Sequence, residues 1–181
     1  RNTEYKAREA RFSAFKNILA QGDCLALAHH QDDLAETLLM RLLRGSGTQA
    51  LANMQELSQR DQYTIWRPLL NCPRAELEQY AQQNQLQWIE DDRNTDTRFD
   101  RNFIRHEILP RLEQRFPNAK QGIAQSAKLL AVDAELLKKN IASNLFICSS
   151  DTQLNVPKLL TLSLGMQAHV LRAWLLKAGK A

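Results

Sequence analysis

Cysteine is scarce: Cys24, Cys72 and Cys148 are the only three in 181 residues. They are widely spaced and odd in number. That argues against a disulfide framework or a cysteine-based zinc site and fits a reducing cytoplasm. Long apolar runs are missing as well. Nothing approaches the roughly 18 residues of a membrane-spanning helix, so no membrane partner is expected. The opening RNTEYKAREARF is polar and lacks the apolar segment of a secretory signal. It does not begin with Met, and the expectation is of a natural N-terminus further upstream. Neither sign of charge dominates. Lys and Arg number 24 against 20 Asp and Glu, a formal net charge of +4, which permits an anionic partner without demanding one. No G-x-x-x-x-G-K-S/T segment occurs, so a P-loop nucleotide site is excluded. No internal repeat or low-complexity tract is found.

What is present is a globular composition, 44% hydrophobic and 24% charged, long enough for one good domain or two small ones. Residues 3–19 read as a helix with Ala7, Ala10, Ala14, Phe15 and Ile18 on one stripe. After the turn Gln21-Gly22-Asp23, the run CLALA (24–28) reads as a strand buried on both faces of a parallel sheet. From Asp32 the period becomes 3.6, with Leu34, Leu38 and Leu42 on one line, and Gly45 closes that helix. Tyr63 to Trp66 reads as a second strand, stopped by Pro68. Pro73 opens a helix that turns Leu77, Tyr80 and Ala81 inward, and Gln87 to Ile89 reads as a third strand. Such alternation predicts an α/β fold with a parallel sheet. Beyond about residue 97 only helices are expected. One covers 98–116, interrupted at Pro110. Another covers 118–146, with a seam of Ile123, Ala127, Leu130, Ala134, Leu137 and Ile141. The extended piece Gln153 to Val156 precedes a final leucine-rich helix. A domain boundary is placed near residue 115.

Ionisable chemistry concentrates in AHHQDDLAETLLMRLLRGSG (28–47). His29, His30, Asp32, Asp33, Glu36 and Thr37 stand where a strand meets a helix, the usual place for reactive groups in parallel sheets. Asp32 with Glu36, and Asp33 with Thr37, are spaced i, i+4 and share a helix face. Helix capping accounts for one acid. It does not account for two histidines before two acids. Metal ligation, general-base work and holding a cationic substrate all suit such a set. In Arg44-Gly45-Ser46-Gly47, glycines around Ser46 would bare backbone N–H groups to an anion, or simply cap the helix. Residues 93–115 hold six arginines, of which Arg98, Arg101 and Arg105 share one face beside Asn102. They read either as a solvated basic face or as a phosphate site suited to the guanidinium fork. Trp66 and Trp88 are expected in the core, His106 and His169 at surface or packing positions, and Arg67 at a strand exit facing the site.

The segments HHQDDLAETLLMRLLRGSG (29–47), RPLL (67–70) and WIEDDRNTDTRFDRNFIRHEILP (88–110) together resemble the bacterial tRNA(Ile)-lysidine synthetases, which are N-type ATP pyrophosphatases with a PP-loop. The likeness runs in order over roughly residues 4–116. It implies a partial adenine-nucleotide alpha-hydrolase-like parallel sheet, followed by a smaller helical domain. Residues 1–115 would then be part of the PP-loop synthetase domain and 116–181 a helical tRNA-binding domain. The implied activity is adenylation of the C2 carbonyl of the wobble cytidine. The lysine side-chain amine then attacks, giving lysidine, AMP and pyrophosphate. The implied cofactors are ATP and Mg2+, and the implied partners are L-lysine and a tRNA(Ile) with a CAU anticodon, with a homodimer among the candidate assemblies. The catalytic set is His29, His30, Asp32, Asp33 and Glu36. The acids are candidates for the lysine amine, with Asp32 and Asp33 candidates for magnesium. The histidines are candidates for the nucleotide or the activated base. Arg101, Asn102, Arg105, Arg44 and Ser46 are the candidate nucleotide contacts, and Arg111 and Arg115 the candidate tRNA contacts. The family's S-G-G-x-D-S loop does not occur here, so the expectation is of a piece trimmed at both ends and inactive alone. Two rivals stay open: a metal-dependent phosphohydrolase and a non-catalytic tRNA-binding module.

Overall fold

The computed structural model describes residues 3–52, 54–89, 91–150 and 153–179. Helix α1 (Thr3–Ile18) leads into strand β1 (Cys24–Ala26), then α2 (Gln31–Leu42) and the short α3 (Thr48–Leu51). Strands β2 (Leu57–Arg60) and β3 (Tyr63–Trp66) follow as a hairpin, then α4 (Arg74–Gln83). A 3-10 turn (Asp92–Thr95) precedes α5 (Asp100–Phe103), a π-helical turn (Ile104–Ile108) and α6 (Leu109–Arg115). Last come α7 (Ala119–Cys148), α8 (Val156–Leu160) and α9 (Leu164–Lys177). Two compact units, Arg1–Ala131 and Val132–Ala181, divide the chain within α7. No helix among the described residues is long and apolar enough to cross a membrane.

The sheet is mixed, not wholly parallel. Its order is β1-β3-β2, with β1 parallel to β3 (Leu25 opposite Ile65) and β2 antiparallel to β3 (Ser58 opposite Ile65). Strand β2 escapes a hydrophobic-pattern reading because its inward positions are Ser58 and Arg60 while Leu57 is exposed. Asp61 takes a positive φ of 50° in the hairpin turn, a conformation that aspartate tolerates better than most residues. The strand expected at 87–89 does not form. Trp88 and Ile89 are exposed, by 54% and 97%, and no neighbouring strand among the described residues pairs with them. Strand propensity without a partner has no ladder to join. Strand β1 is covered on one face only, since Cys24 and Ala26 are exposed, and Trp66 is 42% exposed rather than in the core.

Apolar side chains gather in separate clusters. Phe12 of α1 packs on Tyr63 and Ile65 of β3, with Phe15, Leu19, Leu25 and Leu27 around them. The buried line of α1 is thus Phe12-Phe15-Leu19, and the alanines and Ile18 of the expected stripe face out. Leu34 and Leu38 of α2 pack with Met54, Leu70 and the α7 residues Ala124 and Ala127. In the second unit Cys148, Leu159 and Val170 form a core with Leu145, Leu154, Leu162 and Met166. All six positions of the expected α7 seam are buried or half-buried. The helix expected over 98–116 forms as α5, the π-helical turn and α6, with Pro110 in the first turn of α6. Proline lacks an N–H and crowds the carbonyl four residues back. The wider π turn just upstream absorbs that misfit.

Leu38 is nearly inaccessible whereas Trp88 is half-exposed, so their truncation should separate sharply. Leu38→Ala is expected to lower unfolding free energy by about 2–5 kcal/mol. Trp88→Ala should cost within about 0.5 kcal/mol, both read from urea denaturation.

Candidate functional site

Helix α2 begins just after β1, and its first turn carries the acids. His30 is the N-cap. Its Nδ1 accepts from the Asp33 backbone N–H at 3.4 Å, while Asp33 Oδ2 accepts from the His30 N–H at 3.0 Å. This reciprocal capping box satisfies two N–H groups that the helix start would leave unpaired. Asp33 therefore does serve the helix end, and it also does more. Its Oδ1 accepts from Arg101 Nη2 at 2.7 Å.

One turn further, Glu36 is completely inaccessible to solvent. Its Oε1 accepts from Arg105 Nε at 2.6 Å, and its Oε2 from Arg101 Nε at 2.6 Å and Arg105 Nη2 at 3.0 Å. Arg101 and Arg105 are spaced i, i+4, so both reach one face of their helix. Burial would lower the Arg105 pKa, but the hydrogen bonds and charge of Glu36, with Asp33 behind it, raise it above the ordinary arginine value. A carboxylate removed from water is tolerable only when paired and hydrogen-bonded in this way.

Asp32 points elsewhere. Its Oδ1 accepts from the Arg74 N–H at 3.0 Å at the start of α4, and its Oδ2 lies 3.3 Å from Lys120 Nζ of α7. Lys120 also meets Glu113 at 3.0 Å. Burial pushes the Asp32 pKa up, yet the Arg74 N–H and the Lys120 charge outweigh it and hold the carboxyl below its usual value. Lys120 is held above the ordinary lysine value, burial being overcome by Glu113 and Asp32. His29 is half-buried, and burial lowers its pKa against the opposing charge of Asp33.

A family comparison matches residues 1–112 to the PP-loop domain. The chain belongs to the PP-loop family. It is 42% identical over 178 residues to the tRNA(Ile)-lysidine synthase of Actinobacillus pleuropneumoniae serotype 3, covering 97% of this chain and 42% of that protein. It is 45% identical over 177 residues to the enzyme of the same name from Xanthomonas campestris pv. campestris strain 8004, covering 97% and 40%. The corresponding protein of Pseudomonas putida is 42% identical over 180 residues, covering 95% and 42%. This PP-loop chain thus spans about two-fifths of the length of the relatives it matches.

Within the PP-loop match, the structure brings Asp33, Glu36, Arg101 and Arg105 into one network, with Asp32 beside it. The arginines expected at phosphates have carboxylates as their first partners. The side-chain amide of Asn102 donates to the carbonyls of Arg93 at 2.8 Å and Asp96 at 3.0 Å, tying down the 91–98 loop. The Arg-Gly-Ser-Gly segment does not bare an anion nest at Arg44, Gly45 and Ser46. Their N–H groups donate to Arg41, Leu42 and Arg41 carbonyls as the helix closes, and Gly45 turns the chain with φ of 69°. Arg44 pairs with Asp100 at 3.3 Å in the open. Arg111 and Arg115 are exposed, one 3.5 Å from Glu107 and the other over the Phe116 ring. Asp32 and Asp33 do not fit a shared magnesium, since their oxygens serve separate partners. The described residues group no three metal-type side chains. Lys120 was not foreseen, because nothing in a sequence ties it to an acid 88 positions earlier.

Two expectations follow. Glu36→Gln leaves Arg101 and Arg105 with one paired carboxylate, Asp33, in place of two and should cost about 3 kcal/mol, near the lower end for breaking a buried pair because Asp33 remains and both arginines keep some solvent contact. Arg44→Ala, which removes an exposed pair, should cost at most about 0.5 kcal/mol. The second concerns pH. A depressed folded-state pKa means that Asp32 contributes fully above its unfolded value of 3.8 and loses that contribution as pH falls through the lower folded value. The stability gap between wild type and Asp32→Asn should be level near neutrality and close under acid, as read from chemical denaturation at stepped pH.

Proposed function

We propose that this chain is part of a tRNA(Ile)-lysidine synthase. That enzyme adenylates the C2 carbonyl of the wobble cytidine with ATP and then joins lysine through its side-chain amine, releasing AMP and pyrophosphate. The observation that carries this reading is the buried acid–arginine network of α2 and the 100–115 helix. It lies inside the PP-loop match, in a chain 42–45% identical to proteins bearing that name.

The geometry separates the roles of the acids. Both Glu36 oxygens are committed to two arginines, which makes Glu36 a positioning residue. Asp32 already holds an ammonium, that of Lys120. Asp33 is the acid left for the lysine amine, since a carboxylate offers about four acceptor sites and the distances above use only some of them. Arg101 holds Asp33 in place. The lysine nucleophile must shed a proton before it attacks. His29, kept neutral at pH 7 by burial and with an imidazole nitrogen lacking a protein partner, suits contact with the nucleotide or the activated base. Arg111 and Arg115, exposed and weakly engaged, suit RNA phosphates. Residues 116–181, where the helices continue, suit the tRNA body.

The test uses the full-length protein, ATP, radiolabelled lysine and tRNA(Ile). Wild type should incorporate lysine only with ATP. Asp33→Asn keeps the size of the capping side chain and should lower turnover on the order of 100-fold with circular dichroism unchanged. Arg115→Ala should weaken tRNA binding and lower the salt slope by about one while leaving turnover at saturating tRNA intact. Tight tRNA binding without ATP-dependent incorporation would instead identify a non-catalytic RNA module. Phosphoester cleavage without lysine would favour the hydrolase.

A further inference from the structure

The helix that carries Arg101 and Arg105 carries a second pair one position on. Asn102 and His106 are likewise spaced i, i+4, about 100° further round the helix. The first pair grips the acids of α2, and the second grips a backbone. Asn102 Nδ2 donates to the Arg93 carbonyl at 2.8 Å and to the Asp96 carbonyl at 3.0 Å. His106 Nε2 lies 2.9 Å from the Asn94 carbonyl. A carbonyl only accepts, so Nε2 is the ring nitrogen that bears hydrogen there. Carbonyls of one short loop are thus held from a single helix face. The loop also closes on itself. Asp91 Oδ1 accepts from the Arg93 N–H at 2.9 Å, and Asp96 Oδ1 from the Arg98 N–H at 3.0 Å. It is a compact block rather than a slack tether.

The grip falls where the helix has little support of its own. Helix α5 is four residues long, far below the length at which a helix is stable by itself. Its N-cap, Phe99, makes no side-chain cap bond. Asp100 pairs with Arg44 in the open, a contact of little strength. Arg101 follows at once. Its guanidinium reaches Glu36 Oε2 at 2.6 Å and Asp33 Oδ1 at 2.7 Å, and the backbone just before it sets the direction of that reach. Asn102 stands in for the missing cap. By holding the carbonyl of Asp96, three residues before Phe99, it fixes how the chain enters the helix. His106 holds the same loop from the π-helical turn, whose closing bond runs from the Leu109 N–H to the Ile104 carbonyl.

We propose that Asn102 and His106 are positioning residues: they brace the arginine helix against the 91–98 loop and thereby set the direction from which Arg101 holds Asp33. This deepens the proposed function and rests on its assignment of Asp33 to the lysine amine. Without the brace, Arg101 keeps its charge and its partner but follows a helix that is free to shift. The amine is still held, at a geometry short of the one that reacts. Orientation is then lost rather than affinity. His106 is exposed, so its bond contributes to alignment far more than to folding.

The experiment measures lysine incorporation in the full-length protein and amide hydrogen exchange in this chain. Asn102→Asp keeps the size of the side chain and removes its N–H donors. His106→Ala removes the ring, and His106→Gln puts an amide N–H near where Nε2 stood. Asn102→Asp and His106→Ala should each lower kcat about tenfold, while the KM for lysine stays within about threefold of wild type. His106→Gln should recover most of the loss. The urea midpoint of His106→Ala should stay near that of wild type. The decisive amide is that of His30, which donates to Asp33 Oδ2 at 3.0 Å. Its exchange should quicken in His106→Ala and slow again in His106→Gln. A purely local role would quicken exchange at 93–98 alone. That result, unchanged kcat in both Asn102→Asp and His106→Ala, or His106→Gln behaving as His106→Ala would overturn the proposal. Should Asn102→Asp not fold, the two His106 variants decide alone. Unchanged kcat beside normal incorporation would leave the proposed function standing. Lack of incorporation by wild type would sink that function, and the His30 amide would still decide the brace.

Discussion

The buried carboxylate of Glu36, gripped by Arg101 and Arg105, is the contact on which the rest of the first unit depends. A lone carboxylate in that position would be intolerable, and two guanidiniums brought together without it would repel. Each side makes the other possible, and the bond joins residues 65 and 69 positions apart. Helix α2 and the 100–115 helix are therefore fixed by charge and by direction, because the guanidinium fork accepts its partner from few angles. Further features hang from that helix. Asn102, next to Arg101, holds the backbone of the 91–98 loop, and His106 Nε2 lies 2.9 Å from the Asn94 carbonyl. Arg98 stays outside the network and pairs with Asp96 in the loop itself.

The three acids of α2 divide the work by direction. Asp33 closes the start of its own helix and steadies Arg101. Glu36 anchors the arginine helix. Asp32 reaches the other way, to the first N–H of α4 and to Lys120 of α7. One turn and a half of helix thus sets the placement of three other elements, while Leu34 and Leu38 supply the apolar contact with α7. Capping and tertiary anchoring share the same side chains, so the bland and the functional readings of the acidic cluster are not alternatives.

Much of this was legible before any fold was known. The 3.6-residue period of α2, the seam of α7 and the shared face of Arg101 and Arg105 are local properties, and local geometry carries them into the structure. Partnership is not local. A sequence tells that Arg101 and Arg105 want an anion but not which one, and here carboxylates 65 or more residues away meet them first. Strand β2 was invisible because its inward face is Ser58 and Arg60. Its stability rests on the ladder with β3, on the Arg67 bond to Ser58 and on Arg60 lying 4.1 Å over the Phe12 ring. Trp88 and Ile89 misled in the opposite sense: their residue types suit a strand, but a strand exists only where a neighbour pairs with it. The Arg-Gly-Ser-Gly segment misled because glycine marks a sharp turn whether the freed N–H groups face a ligand or, as here, the last carbonyls of the helix.

Segregation of charge follows from the same constraint. On the proposed function a cationic amine and polyanionic phosphates meet at one site, and an arginine neutralised by a neighbouring acid has little left for a phosphate. Fixing Arg101 and Arg105 on Asp33 and Glu36 balances two cations against two carboxylates. Arg67, only 5% exposed at the carboxyl end of β3, has neutral partners instead, the Gln55 carbonyl and Ser58 Oγ. His29 is pulled one way by the charge of Asp33 and the other by Arg67, Arg101 and Arg8. Burial, the largest of these influences, lowers the pKa of the imidazole.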